Sequence, residues 1–251
     1  MLFSLATQHL GEQTLNKIAT FALSTQLDES ERLDVNVKTD PGLLAQGKLT
    51  SLTIDGDGLV MQKDLRMQKL LINLQNIAVS PMKALTGNIE LTETSTGEAN
   101  ILLSDADINR AFNSDTLRDQ MESLKIQVEN EQVTLDVLAV ECHFLKQGTV
   151  SIDARIKIQE TGETQKVYFT TIPRISDGGR GVTLDSVSYA EGKELSPELT
   201  EALLEKARNI LNLNNFEMEG ISLSINQIQV KEGELNLCAI AQITKFPQPE
   251  S

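Results

Sequence analysis

The segment LKIQVENEQVTLDV (residues 124–137) decides the fold class. Leu124, Ile126 and Val128 alternate with Lys125 and Gln127; past a polar break, Val133, Leu135 and Val137 alternate with Thr134 and Asp136. A side-chain period of two on both sides of a polar turn is that of a β-hairpin with one apolar and one wetted face. SIDARIKI repeats the row through Ile152, Ala154, Ile156 and Ile158. Strands of this kind belong to antiparallel sheets covered on one side only.

Working outward, the hairpin has an echo. IQVENEQVTL begins at Ile126 and IQVKEGELNL at Ile228, with Leu235 and Leu237 at matching apolar places. Each copy follows a predicted helix, and repeats carry architectural information. Two organisations stay open: a single elongated domain, or two related helix-then-meander units at about 1–140 and 141–251. Further strands are predicted in LDVNVKTD, GKLTSLTI, LRMQKLLINLQNIAV, NIELTE, ANILL and VYFTTI. Turns are predicted at Pro41 and Gly42, in TSTGE, in ETGETQ and in SDGGRG. One helix is predicted over SDADINRAFNSDTLRDQM, capped by Ser104 with Asp107 three residues on. Another is predicted over LSPELTEALLEKARNILNL, with Ser196 as cap and Pro197 in its first turn.

LTIDGDGLVMQ, at residues 52–62, has the look of a calcium loop. With Asp55 at position 1, position 5 is Leu59 and position 12 is Arg66, so a leucine and a cation stand where ligands must be. Both flanks read as strand. The inward parity also changes, from Leu52 and Ile54 to Leu59 and Met61, which predicts a one-residue bulge, with a tight hairpin turn as the alternative. The aspartates are expected to accept local hydrogen bonds.

The formal charge of −14 excludes a phosphate-backbone reader and disfavours electrostatic docking on an anionic bilayer, so no nucleic-acid partner is expected. Cys142 and Cys238 form neither a disulfide framework nor a zinc spacing, and Cys142 beside His143 reads as a buried thiol on a strand. The first thirty residues lack the basic start and unbroken apolar stretch of a secretory signal, because His9, Glu12, Gln13, Asn16 and Lys17 interrupt them. Leu10, Leu15, Ile18, Phe21 and Ala22 instead make the stripe of an amphipathic first helix, a candidate for peripheral membrane contact. A cytoplasmic or peripheral-membrane location follows from that reading. No nucleophile–base arrangement, dinucleotide fingerprint or phosphate loop is present in the sequence, and neither an enzyme nor a cofactor is expected.

LLAQGKLTSLTIDGDGLVMQKDLRMQKLLINLQNIAVSP (residues 43–81), followed by GNIELTETSTGEANILLSDADINRAFNS (residues 87–114), resembles the LmeA-like phospholipid-binding proteins in their cyanobacterial branch. The likeness rests on strands, glycine bends and a capped helix. It implies an envelope lipid-binding protein in which a sheet curls round a helix, as in tubular lipid-binding domains. The family's exported members carry an N-terminal signal or anchor where this chain shows an amphipathic helix, so a periplasmic location rests on the resemblance alone.

The expected fold is therefore α+β: curved antiparallel sheets wrapped on a few amphipathic helices. The expected function is non-enzymatic binding or transfer of phospholipid or another acyl lipid in an apolar channel, because an aliphatic lining poor in aromatics suits flexible alkyl chains. Its candidate wall is Leu124, Ile126, Val128, Val133, Leu135 and Val137, with Leu235 and Leu237 from the second hairpin. The alternative is a filled-core adaptor that binds another protein through its sheet edge or polar faces.

Overall fold

Alternating aliphatic residues over most of the chain leave little choice but sheet, and the computed structural model shows two. It describes residues 2–61, 65–85, 90–128, 131–189, 200–201, 204–205, 208, 212 and 219–246, without the side chains of 2–11, 84–85, 116, 120, 128 and 177. After helix α1 (Leu2–Ser24) come β1 (Arg32–Lys38), α2 (Pro41–Ala45), β2 (Lys48–Met61), β3 (Leu65–Ala78), α3 (Pro81–Leu85) and β4 (Ser95–Ser104). Then follow α4 (Asp105–Phe112), α5 (Asp115–Met121), β5 (Leu124–Val128), β6 (Glu131–Phe144), β7 (Val150–Ile158), β8 (Thr164–Ile175), β9 (Val182–Tyr189), β10 (Ile221–Lys231) and β11 (Glu234–Ile243). The six-stranded sheet has the order β1-β2-β3-β4-β11-β10, and the five-stranded sheet β5-β6-β7-β8-β9. Every strand pair is antiparallel, and the sheet curls into a half-barrel. The fold is mostly β, with few helices.

The bend at residues 52–62 is built differently from either expectation. β2 runs through it unbroken, and its register with β1 and β3 does not slip. Neither a bulge nor a hairpin turn is there. Instead β2 and β3 change parity together: buried Leu49 faces Ile77 and Leu52 faces Leu74, then Gly56 faces Leu70 and Leu59 faces Met67. At the two changeovers Asn76 (φ 53°) and Gly58 (φ 59°) take left-handed backbone, a conformation open to glycine and tolerated by asparagine. Each such residue uses up one alternation, so the same face stays inward while the ribbon coils.

Four other expectations are corrected. TSTGE is not a turn, because Ser95, Thr96, Gly97 and Glu98 lie inside β4. Of NIELTE, Leu91 makes an isolated bridge to Val79 and the flanking 86–89 lie outside the described residues. Pro41 and Gly42 open a short helix, where the Asp40 carboxylate accepts from the N–H groups of Gly42 and Leu43. The helix expected from Ser104 is two: α4 ends at Phe112 with Asn113 as its C-cap, and Ser114 caps α5 by accepting from Leu117 N–H. Of the helix expected over residues 195–213, Thr200, Glu201, Leu204, Glu205 and Arg208 are helical, and the rest, apart from Asn212, lies outside the described residues.

Two helices seal sheet edges by the same device. Along α1, Glu12 Oε1, Asn16 Oδ1 and Thr20 Oγ1 accept from the N–H groups of Thr39 (3.0 Å), Val37 (2.7 Å) and Val35 (3.1 Å) on the open side of β1. Along α4, Asp105 Oδ1 accepts from Phe144 N–H (2.8 Å), and the Asn109 amide both accepts from Cys142 N–H (2.7 Å) and donates to Cys142 C=O (3.0 Å). Asn113 Nδ2 donates to Val140 C=O (3.4 Å). Four helical residues advance about 6 Å and two strand residues about 6.7 Å, so acceptors at every fourth helix position keep step with alternate strand N–H groups. An edge that would otherwise pair with another chain is closed by side chains.

Candidate functional site

The inner face of the six-stranded sheet is built in rows that cross every strand. One row runs Val35, Ile54, Ile72, Ala99, Ala239, Ile225; the next runs Val37, Leu52, Leu74, Gly97, Ala241, Leu223. No polar side chain interrupts either. In these two rows β1, β2, β3 and β10 carry branched side chains, whereas the neighbouring strands β4 and β11 carry only Gly97, Ala99, Ala239 and Ala241. The face is therefore a trough with a low floor. Members of the first row are at most 4% exposed, so protein covers the trough in this structure. Leu15, Ala19 and Leu23 of α1 are buried in the same cluster, and Ala22 is buried as well.

The wall residues read from sequence divide between the sheets. Leu237 sits in a third inner row, between Ile101 and Ile228, and Leu235 pairs with Leu103 and Val230. Both are buried. Leu135 faces Leu124 on one side and Ile158 on the other, and Val137 faces Ile156. Leu135 and Val137 are buried, whereas Leu124, Ile126 and Val133 are half-buried at the β5 end of the five-stranded sheet. The Val128 side chain lies outside the described residues. One apolar cluster includes residues of both sheets, so the structure gathers these residues into a shared interior without making a single row of them. The two echo hairpins are both present, one per sheet. Sequence reading missed the small residues of the floor, although GEA in β4 and AIA in β11 already show them at alternate positions.

Of the α1 stripe, Leu15 and Ala22 are buried, Ile18 is half-buried and Phe21 is 60% exposed; the Leu10 side chain lies outside the described residues. Phe21 lines a groove of about 830 Å³ between α1 and the outer face of β1 and β2. Asp55 and Asp57 do not bond locally. They hold Arg32 across the strands, Arg32 Nη2 donating to Asp55 (2.7 Å), Nε to Asp57 (2.7 Å) and Nη1 to Asp34 (2.6 Å). Those bonds raise the Arg32 pKa further and hold the Asp57 carboxyl below the usual carboxylate range. No group of three or more side chains that could hold a metal is found among the described residues.

Below the trough's far end, Asp107 is buried and ties α4 to β3 and β4. It accepts from Arg66 Nη1 (2.5 Å) and from Ser104 N–H (2.8 Å) and Oγ–H (2.7 Å), while Arg66 Nη2 also reaches Glu31 (2.7 Å). Nearby, burial and the Asp105 charge push the Cys142 thiol up to about 12. Cys238 is half-exposed on the outer face and donates to Asn100 Oδ1 (3.2 Å). A thiol reacts as its thiolate. In native protein at mildly alkaline pH, iodoacetamide is therefore expected to label Cys238 and spare Cys142 until denaturant is added. Peptide mass spectrometry reads the two sites, and equal labelling would contradict the buried placement.

The six-stranded sheet thus presents an apolar trough on its inner face, with α1 held along β1 at one edge. The model of the LmeA-like phospholipid-binding family matches residues 6–240, and the chain belongs to that family. Neither the search of curated proteins nor the search of solved structures found a match. No helix among the described residues is long and apolar enough to cross a membrane.

Proposed function

We propose that the protein binds phospholipid without catalysis and holds acyl chains against the apolar inner faces of its sheets. The observation that carries this reading is the low floor of Gly97, Ala99, Ala239 and Ala241 flanked by branched side chains, in a chain of a phospholipid-binding family. Leu235 and Leu237 form part of that floor's margin; Leu124, Ile126, Val128, Val133, Leu135 and Val137 supply the wall on the other sheet. Because the trough is covered here, loading requires the cover to part. We take α1 as part of that cover, since Leu15, Ala19 and Leu23 belong to the same buried cluster and the helix is held to β1 by three side-chain hydrogen bonds along one edge. The same helix turns Phe21 outward, which supports peripheral contact with a membrane. We read the chain as one domain, since its buried cluster includes residues of both sheets. Side-chain bonds taken up along β1 and β6 leave the adaptor reading less edge to offer.

Ala239→Leu tests the floor. Adding three carbons to a filled core costs about 1–3 kcal/mol; adding them to a lipid trough also displaces ligand. The variant is expected to stay folded and to take up clearly less fluorescent phospholipid from vesicles than the parent. Unchanged uptake in a folded variant would remove acyl chains from this floor.

A further inference from the structure

The groove outside α1 is charged at its two ends in opposite senses. Asn16 accepts from Val37 N–H, and the residues next to that rung, Lys17 and Lys38, both line the groove. Both lysines are exposed, and neither makes an ion pair among the described residues. Lys17 lies one helical turn from Phe21, on the same side of α1. Toward the other end stand Arg32, Asp34 and Asp55. Two carboxylates there share one guanidinium, which leaves one negative charge against the two positive charges of the lysines. Asp57, outside the lining, is occupied by Arg32 and lies opposite Lys69. The Asp34 side chain is 68% exposed and meets Arg32 through one oxygen. From Lys38 to Asp34 is four strand residues, about 13 Å, a span that the reach of a lysine side chain shortens.

We propose that this groove binds the zwitterionic headgroup of a phospholipid, its phosphodiester on Lys17 and Lys38 and its ammonium between Asp34 and the face of Phe21. Two ammonium donors suit a phosphodiester, and an exposed aromatic face beside a carboxylate suits a cation. A purely anionic headgroup would satisfy the lysines and then meet the acidic end, in a chain whose formal charge is −14. The groove borders the α1–β1 seam, so a headgroup held there stands beside the helix that lines the edge of the trough. The proposal rests on the phospholipid reading for its ligand, but it concerns a different surface and is tested without acyl chains.

The experiment is an NMR titration of the full chain with glycerophosphoethanolamine, glycerophosphoglycerol and inorganic phosphate at equal ionic strength. Glycerophosphoethanolamine is expected to shift the amides of Lys17, Phe21, Asp34 and Lys38 and to bind tightest. Lys17→Gln with Lys38→Gln should weaken it about tenfold, the loss of one to two charge-assisted contacts. Asp34→Asn should weaken glycerophosphoethanolamine and leave glycerophosphoglycerol unchanged or tighter. These side chains are exposed, and circular dichroism verifies that the variants fold. Equal binding of all three probes, or no effect of Asp34→Asn, would overturn the zwitterionic pairing. No shift in the groove with any probe would overturn the site, even in a protein that carries lipid inside.

Discussion

Gly97→Ala is expected to destabilise the protein severely or prevent folding. A methyl group built on Gly97 would stand 2.1 Å from Asn73 O and 2.8 Å from a Leu74 methyl. The first neighbour is backbone, in a strand fixed on both sides by its ladder, so it cannot swing away as a side chain would. Relief requires β3 and β4 to separate where they pair through Leu74 and Gly97. Overpacking against movable neighbours costs about 1–3 kcal/mol, and a backbone clash in mid-sheet belongs at or above the top of that range. Thermal melting of the purified variant measures it; a melting temperature within a degree or two of the parent would show that β4 does not approach β3 this closely. Ala99→Gly, one row along, is the control, expected to cost about 1 kcal/mol through a weakened strand and a small void.

Asp107→Ala is expected to cost about 3 kcal/mol, at the lower end of what breaking a buried ion pair costs. The substitution leaves Arg66 with Glu31, whose side chain is 68% exposed. It also removes the partner of Ser104 N–H at the start of α4, one half of the capping box. Because the Arg66 side chain remains 22% exposed, water recovers part of the loss, which keeps the cost below the largest known for such pairs. Asp107→Asn retains the shape and a hydrogen bond and is expected to fall between parent and alanine. Urea denaturation measures all three. A loss under about 0.5 kcal/mol for alanine, the size of an ordinary surface change, would mean that α4 is not anchored through this carboxylate.

Strands whose outer residues are plainly polar were legible from alternation alone. β5, β6 and β7 stand where their rows of Leu124, Val133 and Ile152 put them. β4 was not fully legible, because Ser95, Thr96 and Gly97 have turn chemistry and nothing local says that a neighbouring backbone will exclude a side chain there. The parity change at Gly58 was visible, but its cause needs the partner strand: β3 changes in step, and a single sequence segment cannot distinguish that from a bulge. The aspartates beside Gly58 were assigned to local bonds because Arg32, more than twenty residues away, meets them only once β1 pairs with β2.

The first helix shows the limit most clearly. Glu12 and Asn16 looked like interruptions in an apolar stretch, and with Thr20 they turn out to be a ladder spaced for a strand edge. Asp105, Asn109 and Asn113 have the same spacing in α4 and the same use on β6. Polar acceptors at every fourth position of a helix are thus a readable signal, once an edge strand is known to need them. Phe21, placed in the apolar stripe from its period, points outward because these ladder residues fix the rotation of α1.

The most direct measurement is native mass spectrometry of the full-length chain purified from its own cells, with the released ligand identified by its fragmentation. A population heavier than the bare chain by the mass of a phospholipid is expected, with conversion of bare to loaded protein on exposure to phospholipid vesicles. A folded chain that carries no lipid, and takes none from vesicles, would contradict the phospholipid reading.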